Sequence, residues 1–354
     1  MKQGKSLTEL LAELERQALS KADYMADTRS LTFQTEGAVS RLTIPVGDSP
    51  AVFAVNETTH GQIAQRLGIP TKYYDKMRSE APDLLDRNVS QWFAQKPERR
   101  LIRTLDGHAR AFLSDRYRRI DNADIANAII PVLAATPGIE MVSAEITDSR
   151  MYIKAVSRRI TFDVRPGDVV QAGVAVSNSE VGLGAVKVEP LLYRLVCTNG
   201  LIAQDYCQRK FHIGRHAGRD DDAAYELYRD ETLAADDAAF LMKVKDTVAG
   251  VFDPVKFVGI VKRMTELTEL PLTGDPLKAV EVVSDRLGIT QAERIAVLRH
   301  LINDRELTAF GVVSAVTRAA QDLACYDRAT EFERLGGELL SLPVPEWKRI
   351  AQAA

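Results

Sequence analysis

Apolar and polar positions change their period several times along the 354-residue chain. Leu7, Leu10, Leu11 and Leu14 recur at helical spacing, and Ser6 with Glu9 forms an S-x-x-E capping box ahead of them. This predicts a first helix over 7–20. Short β-forming runs follow at Leu31–Thr35, Ala38–Pro45 and Pro50–Val55. Glu36-Gly37 and Gly47-Asp48 between them are turn chemistry, so the run reads as an antiparallel meander. Asn56 caps a helix through Leu67, Gly68 stops it, and Pro70 opens a second short helix. A third runs over Pro82–Gln95.

Strands resume at Arg100–Leu105 and His108–Ser114, joined by Asp106-Gly107, a strong two-residue hairpin signal. In the second of these, Ala109, Ala111 and Leu113 alternate with His108, Arg110 and Phe112, the period of a half-buried strand. A helix over Asn122–Leu133 precedes strands at Met141–Ile146, Met151–Val156, Val169–Ser177 and Leu191–Val196. From Tyr225 onward almost everything reads as helix. Asp253-Pro254 and Asp275-Pro276 each set an N-cap before a first-turn proline, and Thr290 with Glu293 forms another capping box. The expected class is α+β: a strand-rich front half, 1–218, then an all-helical part, 222–354. The seam is the polar stretch Gly218–Asp222, and the two parts form either separate domains or one integrated unit.

Charge sharpens that division. Residues 221–354 carry 16 Lys/Arg against 23 Asp/Glu, a net of −7, and residues 1–220 carry 30 against 26, a net of +4. A basic front and an acidic back suit an anion-binding half, although a chance fluctuation gives the same split. The three cysteines, Cys197, Cys207 and Cys325, make no disulfide framework and fit a reducing compartment. No apolar run reaches the roughly 18–20 residues that span a membrane, and the charged amphipathic start is unlike a signal peptide. The expected location is the cytoplasm, with no membrane partner.

Four constellations carry possible chemistry. Ile63-Ala64, Leu67-Gly68-Ile69-Pro70, Tyr74 and Met77 have the spacing of a helix-turn-helix, with Lys72, Tyr73, Lys76 and Arg78 directed outward; a plain helical hairpin has the same spacing. Basic and aromatic residues crowd the strands: Arg99, Arg100, Arg103, Arg110, Arg116, Tyr117, Arg118 and Arg119, then Tyr152, Lys154, Arg158 and Arg159, then Lys187, Arg194, Arg209, Lys210 and Arg215. Cations that track phosphates and rings that stack on bases are the equipment of single-strand binders. A solvated sheet face with scattered ion pairs has the same composition. Cys197, Cys207, His212 and His216 are zinc-ligand types, but the cysteines stand too far apart for a zinc knuckle. Gly173–Gly184 reads as a hairpin loop able to hold an anion on backbone N–H groups, with Glu180 a candidate base or metal ligand. The chain has no G-x-S-x-G, H-E-x-x-H, Walker loop or strand-linked G-x-G-x-x-G, so no cofactor is expected.

Several strings, taken in order, are similar to a known family. They are Leu67-Gly-Ile-Pro70 with Tyr73-Tyr74, Ala111-Phe-Leu-Ser-Asp-Arg-Tyr117 with Ile120-Asp-Asn122, Val176-Ser-Asn-Ser-Glu-Val-Gly182, and Tyr193-Arg-Leu-Val-Cys-Thr-Asn-Gly200. Late in the chain come Val313-Ser-Ala-Val-Thr317, Tyr326-Asp327, Gly336-Gly337 and Glu346-Trp347. Over roughly 30–350 the chain thus resembles the phage- and plasmid-related family catalogued as domain of unknown function 932. The resemblance implies a mobile-element setting and one folded unit that includes the helical tail. It assigns no activity and no functional residues.

Together these readings point to a non-enzymatic, homo-oligomeric binder of single-stranded DNA, of the recombination or annealing type. Lys72, Arg99, Arg100, Arg103, Arg110, Arg116, Arg118, Arg119, Lys154, Arg158, Arg159 and Arg194 would meet phosphate, and Tyr74, Tyr117 and Tyr152 would stack on bases. One alternative is a metal-dependent nuclease using Asp115, Asp121, Glu180, Cys207, His212 and His216. Another is a factor that blocks a restriction or defence protein through its acidic helical part.

Overall fold

The structure is a computed structural model that describes residues 1–47, 49–203 and 230–352. The seam at Gly218–Asp222 and Asp48 of one expected turn lie outside the described residues.

The first helix is α1 (Leu7–Ser20), with the Ser6/Glu9 capping box formed as the spacing predicts. A six-stranded sheet follows. Its strands are β1 (Ala22–Asp27), β2 (Thr32–Glu36), β3 (Val39–Val46), β4 (Ser49–Val55), β5 (Arg99–Leu105) and β6 (His108–Ser114), in the order β1-β5-β6-β4-β3-β2. The pairs are antiparallel except β4 with β6, which run parallel over Ala54↔His108 and Val55↔Ala109. Asp106 and Gly107 both have positive φ in the β5–β6 turn, as a primed two-residue hairpin requires.

Helices α2 (Glu57–Leu67), α3 (Thr71–Glu80) and α4 (Pro82–Gln95) cover one face of this sheet. Phe33, Leu42, Ile44, Tyr74, Leu85, Val89, Ile102 and Phe112 make the core between the two layers. The other face is partly covered as well: Leu101, Ala111 and Leu113 pack beneath Val181. Every residue from Ala109 to Leu113 is therefore buried. This corrects the half-buried reading of β6, which is covered on both faces, Ala109 and Phe112 lying in the helix-covered core and Ala111 and Leu113 in the other.

After α5 (Asn122–Ala135) comes an antiparallel five-stranded sheet, ordered β11-β10-β9-β8-β7. Its strands are β7 (Ile139–Ile146), β8 (Met151–Arg165), β9 (Asp168–Asn178), β10 (Lys187–Arg194) and β11 (Asn199–Ile202). Among the described residues seven helices follow: α6 (Asp230–Val251), α7 (Pro254–Thr268), α8 (Pro276–Leu287), α9 (Gln291–Asp304), α10 (Ala309–Ala319), α11 (Tyr326–Ser341) and α12 (Val344–Gln352). The fold is α+β with a helical C-terminal part.

These helices share one apolar cluster with the second sheet, in which Ile153, Val170, Val174 and Leu192 join Phe257, Phe310, Phe332 and Trp347. Each large side chain buried there contributes about 1.5–3 kcal/mol. Gly337 lets α11 lie against the end of β11, because a side-chain carbon at that position would collide with the carbonyl of Ile202. Among the described residues no helix is long and apolar enough to cross a membrane.

Candidate nucleic-acid interface

The strand-borne cations divide into an interior set and a surface set, and the interior set is paired to carboxylates. Arg103 and Arg110 come from β5 and β6. Asp121 and Asn122 open α5, and Glu180 follows β9. They meet where the two sheets join. Arg103 donates to Asp23 Oδ1 at 2.9 Å, Asp121 Oδ1 at 2.6 Å and the Glu180 carbonyl at 3.1 Å. Arg110 Nη2 donates to Glu180 Oε2, and the N–H of Asn122 to Glu180 Oε1 at 2.6 Å. Lys21 bridges the two acids, 2.5 Å from Asp121 Oδ2 and 3.1 Å from Glu180 Oε1. Tyr117 is half-buried, and its hydroxyl donates to the Ser179 carbonyl at 3.0 Å.

Burial pushes Asp121 and Glu180 up, but Arg103 and Lys21 on the first and Arg110 and Lys21 on the second outweigh it and hold both below the usual carboxylate range. Paired and ionised in this way, neither is poised to exchange a proton near neutral pH. Asp115, the third acid of the nuclease reading, is exposed on the strand exit. Among the described residues no group of three or more His, Cys, Asp or Glu stands where it could hold a metal. Cys207, His212 and His216 lie outside the described residues, as do Arg209, Lys210 and Arg215. Cys197 donates from Sγ to Asn199 Oδ1 at 2.9 Å.

Two more interior clusters hold cations expected on a surface. Beneath α11, Lys154 donates to Glu333 Oε2 at 2.7 Å and Thr330 Oγ1 at 3.0 Å. The Tyr152 ring lies 5.3 Å from that of Tyr326, tilted by 44°, and the Tyr326 hydroxyl lies 2.7 Å from Ser143 Oγ. Arg334 holds Glu189 at 2.6 Å beside them. Burial pushes the Lys154 ammonium down against the pull of Glu333. In the other cluster Arg194 grips both oxygens of Asp168 at 2.6 Å, donates to Ser314 Oγ at 2.7 Å and lies over the Phe310 ring.

These placements correct the expected contact surface. Arg103, Arg110, Lys154 and Arg194 are buried and each is paired to an internal carboxylate, and Tyr74 and Tyr152 have no open ring face. The His60 ring closes over Tyr74, with Nδ1 3.0 Å from its hydroxyl. An unpaired buried charge costs several kcal/mol, so such cations sit inside only where carboxylates from distant segments meet them.

The remaining expected residues reach the surface in different places. Lys72 is exposed on α3. Arg158 pairs with Glu140 at 2.6 Å on the second sheet, where Arg159 lies against Gly138. Arg118 is held by Asp236 at 3.0 Å and by Asp237, both from α6. Arg119 is exposed, 3.8 Å from Asp23.

Arg99, Arg100 and Arg116 stand at one end of β5 and β6, with Arg99 and Arg100, as neighbours in a strand, on opposite faces of the sheet. Arg100 pairs in register with Ser114, whose Oγ accepts from the Arg116 N–H at 3.1 Å. Glu98 gathers further cations to this end. Arg100 donates to its Oε1 at 2.6 Å, and Arg66, from α2, grips both its oxygens. Burial pushes Glu98 up, but these hydrogen bonds hold it below its usual range. The Glu98 carbonyl accepts from the Thr28 N–H at 3.0 Å, which brings Arg29 alongside, and Arg29 itself pairs with Asp27 at 2.8 Å. Lys96 completes the group, its Nζ 5.0 Å from the centroid of the Trp92 ring. Four cations, Arg29, Arg66, Lys96 and Arg100, thus gather about two carboxylates, Asp27 and Glu98. Arg29, Arg66, Lys96 and Trp92 were not anticipated. They come from a short turn and two helices, and no local pattern marks their convergence.

No curated protein and no solved structure matches the chain. The matched family segment begins in β6 and ends in α6, so it contains Arg110, Asp121 and Glu180 of the sheet joint and Arg194 of the second sheet, and it is shorter than the span over which the strings were read. Residues 109–247 match the family model described as Domain of unknown function (DUF932), the family that the strings resemble.

Proposed function

We propose that this protein binds single-stranded nucleic acid along the basic end of the six-stranded sheet. The observation that carries this reading is the gathering of four cations from four segments of the chain, Arg29, Arg66, Lys96 and Arg100, about Glu98 and Asp27. The pairs already made there do not block a phosphate. Arg29 is 64% exposed and Arg66 43%, and exposed ion pairs of this kind are worth about 0–1 kcal/mol. A polyanion that engages several guanidiniums at once outcompetes single carboxylates, because each phosphate contact also releases counterions.

The test is fluorescence anisotropy of the purified chain with labelled single- and double-stranded DNA over a salt series. Three to five phosphate contacts give a slope of log affinity against log salt of roughly −2 to −3.5 for a single strand. Absence of binding to either form at low salt sinks the reading.

A further inference from the structure

We infer that Trp92 is the base-stacking residue of this surface, and that it makes an unpaired nucleobase the preferred ligand; this rests on the single-strand reading above. In α4 the buried stripe is Leu85, Val89 and Phe93, at successive four-residue steps. Trp92 stands one residue off that stripe, so its indole lies at the border of the core and is only half-buried. What lies over the ring is the Lys96 ammonium, one helical turn on. An exposed ammonium on a flexible stem is a weak and displaceable partner for an indole, whereas a stacked base covers the ring with a flat apolar surface.

The surroundings supply the rest of such a site. Lys96 precedes Pro97 and Glu98, so a strand whose base rests on Trp92 has its phosphates beside Lys96 and the two guanidiniums on Glu98. Displaced from the ring, Lys96 keeps a partner in the adjacent phosphate. The aromatic residues expected to stack do not serve here: Tyr74 and Tyr152 are buried, and Tyr117 is anchored at the sheet joint. A duplex keeps its bases in its own stack and offers this ring none of their faces.

The chain has two tryptophans, and the other, Trp347, is buried with its N–H on the Leu339 carbonyl. Trp347 therefore contributes a constant background, and a change in emission on binding reports on Trp92. Titration of the full chain with oligothymidylate is expected to quench tryptophan emission as the complex forms. Trp92→Ala should weaken oligothymidylate binding about ten-fold with the salt slope unchanged. Trp92→Phe, which keeps a ring, should retain most of the affinity and lose the quenching. An abasic oligomer should bind wild type and Trp92→Ala equally. Salt-dependent binding with no quenching, or equal oligothymidylate affinity for wild type and a folded Trp92→Ala, overturns the stacking role and leaves the phosphate reading standing. A wild-type chain that binds no oligomer at low salt defeats both.

Discussion

Arg110 and Glu180 meet in the interior where the two sheets join, Nη2 of one on Oε2 of the other. The arginine belongs to the six-stranded sheet, and the glutamate follows a strand of the five-stranded one. Lys21 and the Asn122 N–H take the other carboxylate oxygen, so this acid binds three segments. Removing it leaves the buried Arg110 guanidinium without its carboxylate, while Lys21 keeps Asp121. Glu180→Ala should lower unfolding stability by about 3–5 kcal/mol, read as a fall in the denaturant midpoint. A variant within about 0.5 kcal/mol of wild type would show that the joint carries little energy.

Acid should act on the same joint. Asp121 and Glu180 both titrate below their usual ranges in the fold. A carboxylate with a depressed folded pKa contributes stability that is fully present above its unfolded value, about 4, and is lost as pH falls through the folded one. Wild type should therefore lose stability below about pH 4, and the gap to Glu180→Gln should narrow there. Denaturant curves at pH 7, 5 and 3 measure it. A gap that stays constant down to pH 3 contradicts the assignment.

Beneath α11 the pair Lys154–Glu333 offers a cleaner separation of terms. Lys154→Met alone strands the Glu333 carboxylate in the interior and should cost about 3–5 kcal/mol. Lys154→Met with Glu333→Leu removes both charges and should recover most of that loss. Equal destabilisation in the single and double variants would mean that packing, rather than charge, dominates the site.

Gly337 tests the contact between α11 and the second sheet. A methyl group there meets backbone, the Ile202 carbonyl, which cannot turn aside as a side chain would. Gly337→Ala should lower stability by about 1–3 kcal/mol, the usual cost of overpacking, although alanine suits a helix better than glycine. An unchanged thermal midpoint would show that the helix can shift.

On the basic surface, Arg29→Gln with Arg66→Gln should reduce single-strand affinity at low salt and shrink the salt slope by roughly 1.4, two contacts' worth. Arg158→Gln, on the other sheet beside Glu140, should change neither. If all three substitutions behave alike, nucleic-acid binding is not localised at the Glu98 end.

Helices and hairpins were legible in the sequence because their signals are local. The Ser6/Glu9 and Thr290/Glu293 boxes, Asp106-Gly107 and the Asp-Pro starts of α7 and α8 all form as the spacing predicts. β1 was not legible: its ADYMAD sequence has weak strand character, and it is held by pairing with β5, some 80 residues away. The α+β class follows from such local signals, but the destination of each cation does not. Lys154 alternates along β8 as a solvated residue would, and it lies inside only because α11 brings Thr330 and Glu333 to it. The same limit hid Arg66 and Lys96, which reach the basic surface through Glu98 and Trp92.

The separation of 179 positions between Lys154 and Glu333 also sets a timetable. Ribosomes add about 5–20 residues per second, so the lysine leaves the exit tunnel roughly 10–40 seconds before its counterion. During that interval β8 can pair with its neighbours, but the face that α11 will cover must stay wet, because an ammonium without its carboxylate resists desiccation. The second sheet is thus half-finished while the nascent chain grows, and it is completed only when the late helix delivers the missing charge.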